Sequence, residues 1–323
     1  MSRRGLVIGL AAVVVVVTAV VIAFNRSFDA RPTVEVCIAE VGGTKVALTP
    51  EQAENAALIA AIGVRRGLPA RAVSIALATA FQESKILNIE HGDRDSLGLF
   101  QQRPSQGWGS REEVLNPYHA TNAFYDALVK VPDYESMRIT EAAQRVQRSG
   151  HPEAYEKHAD AARALASAFT GNSPDGQFHC TFNVRATDSP TELDEDGLTE
   201  RAAAVRVDLT AAFGDLPLGG FSPDGVDSGH MEGSAHYEGR AIDVFFRPID
   251  EPNRKHGWAV AYYLVAQADR LDIATVIFDD KIWTTRRSAE GWRDYDPGDV
   301  EGKPAETVAI LEHRDHVHVD VHR

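Results

Sequence analysis

The sequence predicts an α+β protein: an apolar N-terminal helix, a mostly helical unit, then a mixed unit with a small antiparallel sheet. Three observations carry this. A 20-residue uncharged run opens the chain, helix caps and helical periodicity dominate from about 47 to 172, and short alternating or apolar runs appear among helical ones after about 200. At 323 residues the chain suits two compact units. A content of 44% hydrophobic and 25% charged residues excludes wholesale disorder and fibrous order. Asp plus Glu outnumber Lys plus Arg by 47 to 33, a net charge of -14 that repels phosphates, so nucleic acid is not an expected partner.

Residues 1–4 are the expected cytoplasmic tip. The run 5–24, GLVIGLAAVVVVVTAVVIAF, rises about 30 Å as a helix, the thickness of a bilayer core. Arg3 and Arg4 precede it, so the positive-inside rule predicts a single-pass membrane protein with everything after residue 24 outside the cytoplasm. The run exceeds a usual signal-peptide core and lacks an A-x-A cleavage pattern, which favours an uncleaved anchor. Residues 25–46 follow as a tether and first strand containing Cys37. The chain has two cysteines, Cys37 and Cys180; outside the cytosol they can oxidise, and paired they would tie the start of the first unit to its end.

Thr49-Pro50-Glu51-Gln52 matches a capping box with Pro at the first helical position. That helix runs to Gly67, suited to a left-handed cap, and Pro69 opens a second helix, PARAVSIALATAFQES. Further helices are expected near 119–130, 138–148 and 152–169, completing a unit over 47–182. Residues 183–198 are acidic and poor in large apolar groups, which predicts a solvated linker. The second unit, 199–323, opens with a helix to about 213 and continues through a Gly-rich stretch. Strand-like runs are expected at 241–246, 275–278 and 316–321, with a helix near 258–270.

Glu83 ends the second helix after an apolar run. A carboxyl in apolar surroundings has a raised pKa and can protonate a glycosidic oxygen, the role of the acid in lysozyme. Glu83-Ser84 and then Asp93 to Pro104, DRDSLGLFQQRP, resemble lysozyme-like domains of the lytic-transglycosylase type; the likeness continues through SQGWG and LNPYHATNAFYDAL. The longer GDRDSLGLFQQRPSQGWG form is similar to secreted actinobacterial wall proteins. The resemblance implies a general acid/base at Glu83 and a sugar groove lined by Ser96 and Gln101. Trp108, Phe124 and Tyr125 are expected in the core rather than on a sugar platform.

Ser234 to Asp243, S-x-H-x-x-G-x-A-x-D, leads into a strand on which Asp243 faces away from Ile242 and Val244. HVHVDV from His316 alternates strictly, so His316, His318 and Asp320 share one face and three valines the other. Neutral imidazole and carboxylate are the ligands of catalytic zinc, and His236, Asp243 and His318 would supply three. The pattern resembles the D-alanyl-D-alanine metallopeptidases, and His313-Arg-Asp315-His316-Val-His318 most resembles their murein endopeptidase branch, H-x-D-H-x-H. That resemblance implies zinc on His236, Asp243 and His318, with His313 and His316 as supporting or catalytic histidines. Asp315 stands where the dipeptidase branch has a catalytic Glu, so His316, Asp315 and Glu312 are all candidates for the general base. His230, His256 and His322 have no role and are expected on the surface.

Together the resemblances imply a membrane-anchored peptidoglycan-remodelling hydrolase: a zinc peptidase acting on stem or cross-link peptides, and a lysozyme-like unit cleaving or holding the glycan. A non-catalytic wall-binding scaffold with a structural zinc would use the same ligands.

Overall fold

The computed structural model describes residues 34–183 and 189–323. The expected membrane span at 5–24 lies outside them. Among the described residues no helix is long and apolar enough to cross a membrane. The longest, α1 (Pro50–Arg65) and α8 (Glu251–Ala266), have 16 residues each, a rise of about 24 Å against the roughly 30 Å of a bilayer core. The N-terminal transmembrane helix and the single-pass membrane localisation drawn from it are therefore corrected: the structure supports a mixed helix-and-sheet fold with no spanning helix among the described residues.

A hairpin comes first. β1 (Val36–Val41) and β2 (Thr44–Leu48) are joined by Gly42-Gly43, both at positive φ as a tight hairpin turn requires. The other edge of β1 pairs with β3 (Phe178–Thr181), giving a three-stranded antiparallel sheet of order β2-β1-β3. In that register Cys37 lies opposite Cys180, and the two form a disulfide with their Cα atoms 3.9 Å apart.

Between these strands the chain is helical. At the start of α1 the Thr49 side chain accepts from the Gln52 N–H while Gln52 Oε1 accepts from the Thr49 N–H, so the capping box closes from both sides. α2 (Ala70–Ser84) buries Ala72, Ala76, Ala78 and Ala80, small residues that let neighbouring helices approach closely. α3 (Arg111–Leu115), α4 (Pro117–Leu128), α5 (Ile139–Gln147) and α6 (Ala159–Phe169) follow, the last starting later than expected because Glu156–His158 forms a 3-10 turn. Phe124 and Tyr125 are fully buried, and Trp108 packs half-buried against the core.

The rest of the chain is α7 (Glu200–Phe213), α8, α9 (Ala305–Leu311) and a six-stranded antiparallel sheet of order β4-β5-β9-β6-β7-β8. Its strands are β4 (Leu218–Gly219), β5 (Ala241–Phe245), β6 (Ile273–Phe278), β7 (Lys281–Thr284), β8 (Arg293–Asp294) and β9 (His316–Val321). α8 begins seven residues before the expected 258 because Asp250 caps it, accepting from the Asn253 N–H, with Pro252 in the first turn. On its sheet-facing side a Cβ on Gly257 would stand 2.1 Å from Phe278 Cζ, so only glycine permits that approach.

The helical and sheet halves share one apolar core, and residues 35–323 cluster as a single unit. Trp258 packs edge-on against Phe278 and Trp292, while Tyr262 meets Phe178. The Tyr262 hydroxyl accepts from the Gln177 N–H and donates to the Ser173 carbonyl, tying α8 to the approach to β3. Truncating the fully buried Trp258 to Ala would cost about 3–5 kcal/mol.

Candidate functional site

The first candidate site grows from the pairing of β5 with β9. Asp243 lies opposite His318 and Phe245 opposite His316. Opposed residues project to one face, so the two-residue alternation puts Asp243, His316, His318 and Asp320 together while Val317, Val319 and Val321 enter the core. His236 arrives from the 3-10 turn Ala235–Glu238 just before β5; the Ser234 side chain accepts from the His236 N–H at the start of that turn, which ends at Gly239, φ +65°.

Three donor atoms meet there. His236 Nε2 is 3.0 Å from His318 Nδ1, and Asp243 Oδ1 is 3.2 Å from each. Zinc bonds of about 2.0–2.1 Å in a tetrahedral site imply ligand–ligand edges of about 3.3 Å, so this triangle fits one face of such a site. The outer hydrogen bonds assign the tautomers. His236 Nδ1–H donates to the Gly220 carbonyl at 2.6 Å, and His318 Nε2–H to Asp320 Oδ2 at 3.4 Å. Two lone pairs and a carboxylate oxygen therefore converge with no donor among them, an arrangement that repels itself unless a proton or metal ion lies between. A proton can take that place: burial would lower the His318 pKa, yet Asp243 and Asp320 push it up to about 9, and in that protonated state hydrogen bonds from the imidazoles hold Asp243 below the carboxylate range despite its burial. The pocket favours positive charge at this point.

Gly220 makes room for the triangle. A Cβ there would stand 2.4 Å from His236 Cε1 and 3.0 Å from Asp243 Oδ2. The sequence marked this stretch only as Gly-rich. His230, expected on the surface, instead lays its ring on that of His236 with centroids 3.9 Å apart. His230, His236 and Asp243 each offer a donor atom within 4.8 Å of the others, a group that could also hold a metal ion.

The donors open into a cavity of about 700 Å³ whose wall includes Arg247, Tyr295, His313 and His316. His316 Nε2 stands 3.8 Å from Asp243 Oδ1, while its Nδ1 donates to Asp315 Oδ1 at 2.7 Å. Asp315 faces away from the donors: its other oxygen accepts from Arg247 Nε at 2.7 Å and Nη2 at 2.6 Å, and the bond from His316, with those from Arg247, outweighs burial and lowers its pKa. Glu312 accepts from Arg314 Nε at 2.7 Å and is not on the cavity wall. His313 packs against His316 with centroids 4.6 Å apart, and burial beside those imidazoles pushes its pKa down to about 3. Arg247 and Tyr295 were not singled out by spacing, since each reaches the cavity only through the tertiary fold.

The second candidate site is at the end of α2. Lys85 and Ile86, both near φ 59°, turn the chain sharply after Ser84, whose hydroxyl donates to the Leu99 carbonyl at 2.7 Å. This bond seats the GLFQ strip beside Glu83. Burial raises the Glu83 pKa, opposed in part by hydrogen bonds from Tyr155 and Gln147. The Tyr155 hydroxyl donates to Glu83 Oε1 at 2.7 Å, and Gln147 Nε2 also donates to the Phe100 carbonyl at 2.7 Å. Tyr155 and Gln147 carry no motif that sequence inspection could have used. Ser96 and Gln101 do not bond to Glu83: Ser96 lines a shallow cleft with Arg94 and Arg111, and Gln101 donates to the His91 and Gly98 carbonyls at 3.3 Å.

Residues 194–305 match a family model described as VldE, C-terminal domain. The match includes His236 and Asp243 but stops short of His313 and β9. No curated protein matches the chain.

Proposed function

We propose that the protein is a peptidoglycan hydrolase whose sheet-bearing half is a zinc-dependent peptidase for stem or cross-link peptides, and whose helical half cleaves or holds the glycan strand. The observation that carries this is the triangle of His236 Nε2, Asp243 Oδ1 and His318 Nδ1, three acceptors 3.0–3.2 Å apart at one end of a cavity large enough for a peptide. Zinc held there would act as a Lewis acid on the scissile carbonyl and make water nucleophilic near neutral pH.

The chain's own groups would divide the remaining work. His316 is the proton acceptor, because it lines the cavity with Nε2 on the donor side while Asp315 holds Nδ1. Asp315 orients that ring, and Arg247 keeps Asp315 ionised. In the helical half Glu83 is the proton donor, supported by its raised pKa and by Tyr155, which fixes one carboxyl oxygen. The Cys37–Cys180 disulfide suits oxidising surroundings, where peptidoglycan also lies.

The test is mass spectrometry of muropeptides released from isolated sacculi by the full chain, with and without a chelator. Peptide cleavage that disappears with chelator and returns with zinc is expected. Release unchanged by chelator, or no peptide cleavage with zinc present, would overturn the peptidase assignment.

A further inference from the structure

Beyond the three donors, the cavity contains an imidazole held with unusual care. His230 belongs to a loop bounded by Gly229 and Gly233, both at positive φ. Its backbone is gripped at both ends by one hydroxyl: Tyr237 Oη accepts from the His230 N–H at 3.1 Å and donates to the His230 carbonyl at 2.6 Å. Tyr237 directly follows His236, so the turn that delivers that donor also fixes this loop. The His230 ring is thereby laid 3.9 Å from the His236 ring, its planes 19° apart.

We propose that His230 is a fourth, exchangeable metal ligand, closing the site from the loop at rest and leaving it when peptide enters. The inference rests on the metal centre proposed above. Its donor atom lies at most 4.8 Å from those of His236 and Asp243, against about 3.3 Å between ligands of a tetrahedral zinc. A loop shift of about 1.5 Å, together with rotation of the His230 ring out of its stack on His236, covers that difference. A structural zinc has four protein ligands and a catalytic one three with an open position, so His230 decides which of the two this site is at any moment. Tyr237 is the positioning residue.

The test uses the full chain loaded with cobalt(II) or zinc, read by the visible cobalt spectrum and by zinc affinity in competition with a chromogenic chelator. His230→Ala is expected to weaken zinc binding about 10- to 100-fold, the scale seen when supporting groups of metal sites are lost, and to change the cobalt spectrum as water replaces imidazole. Tyr237→Phe, which keeps every imidazole, should weaken binding by a smaller factor. Unchanged spectrum and affinity in His230→Ala, with binding abolished in His236→Ala, would overturn the fourth ligand while leaving the metal centre intact. No metal bound by the wild-type chain would overturn both.

Discussion

His236 Nε2 and His318 Nδ1 lie 3.0 Å apart although 82 residues separate them, and each ring spends its other nitrogen on an outward acceptor, Gly220 O or Asp320 Oδ2. Facing lone pairs at that distance create a demand for a cation which neither ring satisfies by itself.

The full chain should bind about one equivalent of zinc, as a single three-donor centre implies. His236→Ala, Asp243→Ala and His318→Ala should each lose it. At a free zinc concentration a hundred times Kd, binding stabilises the fold by about 2.7 kcal/mol, so chelation should lower the melting temperature of wild type but not of these variants. Stoichiometric zinc in all three would remove the metal from this location.

His316→Ala should keep zinc and lose peptide cleavage. Losing a positioned proton acceptor costs a factor of about 10²–10⁴ in kcat. Asp315→Asn, which weakens the hold on His316 and the pairing with Arg247 but keeps the imidazole, should cost less than His316→Ala. If Asp315→Asn were the more damaging, the proton acceptor would be Asp315 itself.

Glu83→Gln should leave the fold intact, since the amide oxygen can still accept from Tyr155, and should abolish glycan cleavage because the amide has no proton to deliver. Release of anhydromuropeptides is the measurement. Equal release by wild type and variant would end the catalytic role of Glu83; no release by either would favour a glycan-holding role.

Glu54 gives the chain a pH dependence away from both sites. This half-buried carboxyl on α1 faces Arg270 at 3.9 Å, and burial raises its pKa to about 7 even though Arg270 opposes the shift. A folded-state pKa above the unfolded one means stability fully present below about pH 4.5 and lost as pH rises through about 7. Glu54→Gln should therefore unfold at a higher denaturant midpoint than wild type at about pH 8.5 and at nearly the same midpoint at about pH 4. Equal midpoints at both pH values would show that Glu54 titrates normally.

Much of this protein is written locally. The capping box at Thr49 and Gln52, the left-handed stop at Gly67 and the strict alternation from His316 to Val321 are short-range instructions, because hydrogen-bond caps and the two-residue strand period act within a few residues. The same alternation sets His316 beside His318, and the S-x-H-x-x-G-x-A-x-D spacing carries Asp243 on the strand that His236 precedes. What no local rule contains is which strand pairs with which. The antiparallel register of β5 on β9 set Asp243 against His318 and closed the donor triangle. The pairing of β1 with β3 brought Cys37 to Cys180 across 143 residues. Packing alone turned Asp315 toward Arg247 and so away from the donors, made Gly220 the floor beneath His236, and moved His230 from an expected surface position onto a ligand ring. Periodicity says which way a side chain points along its own element. Convergence of distant side chains depends on how elements dock, a property of the whole core.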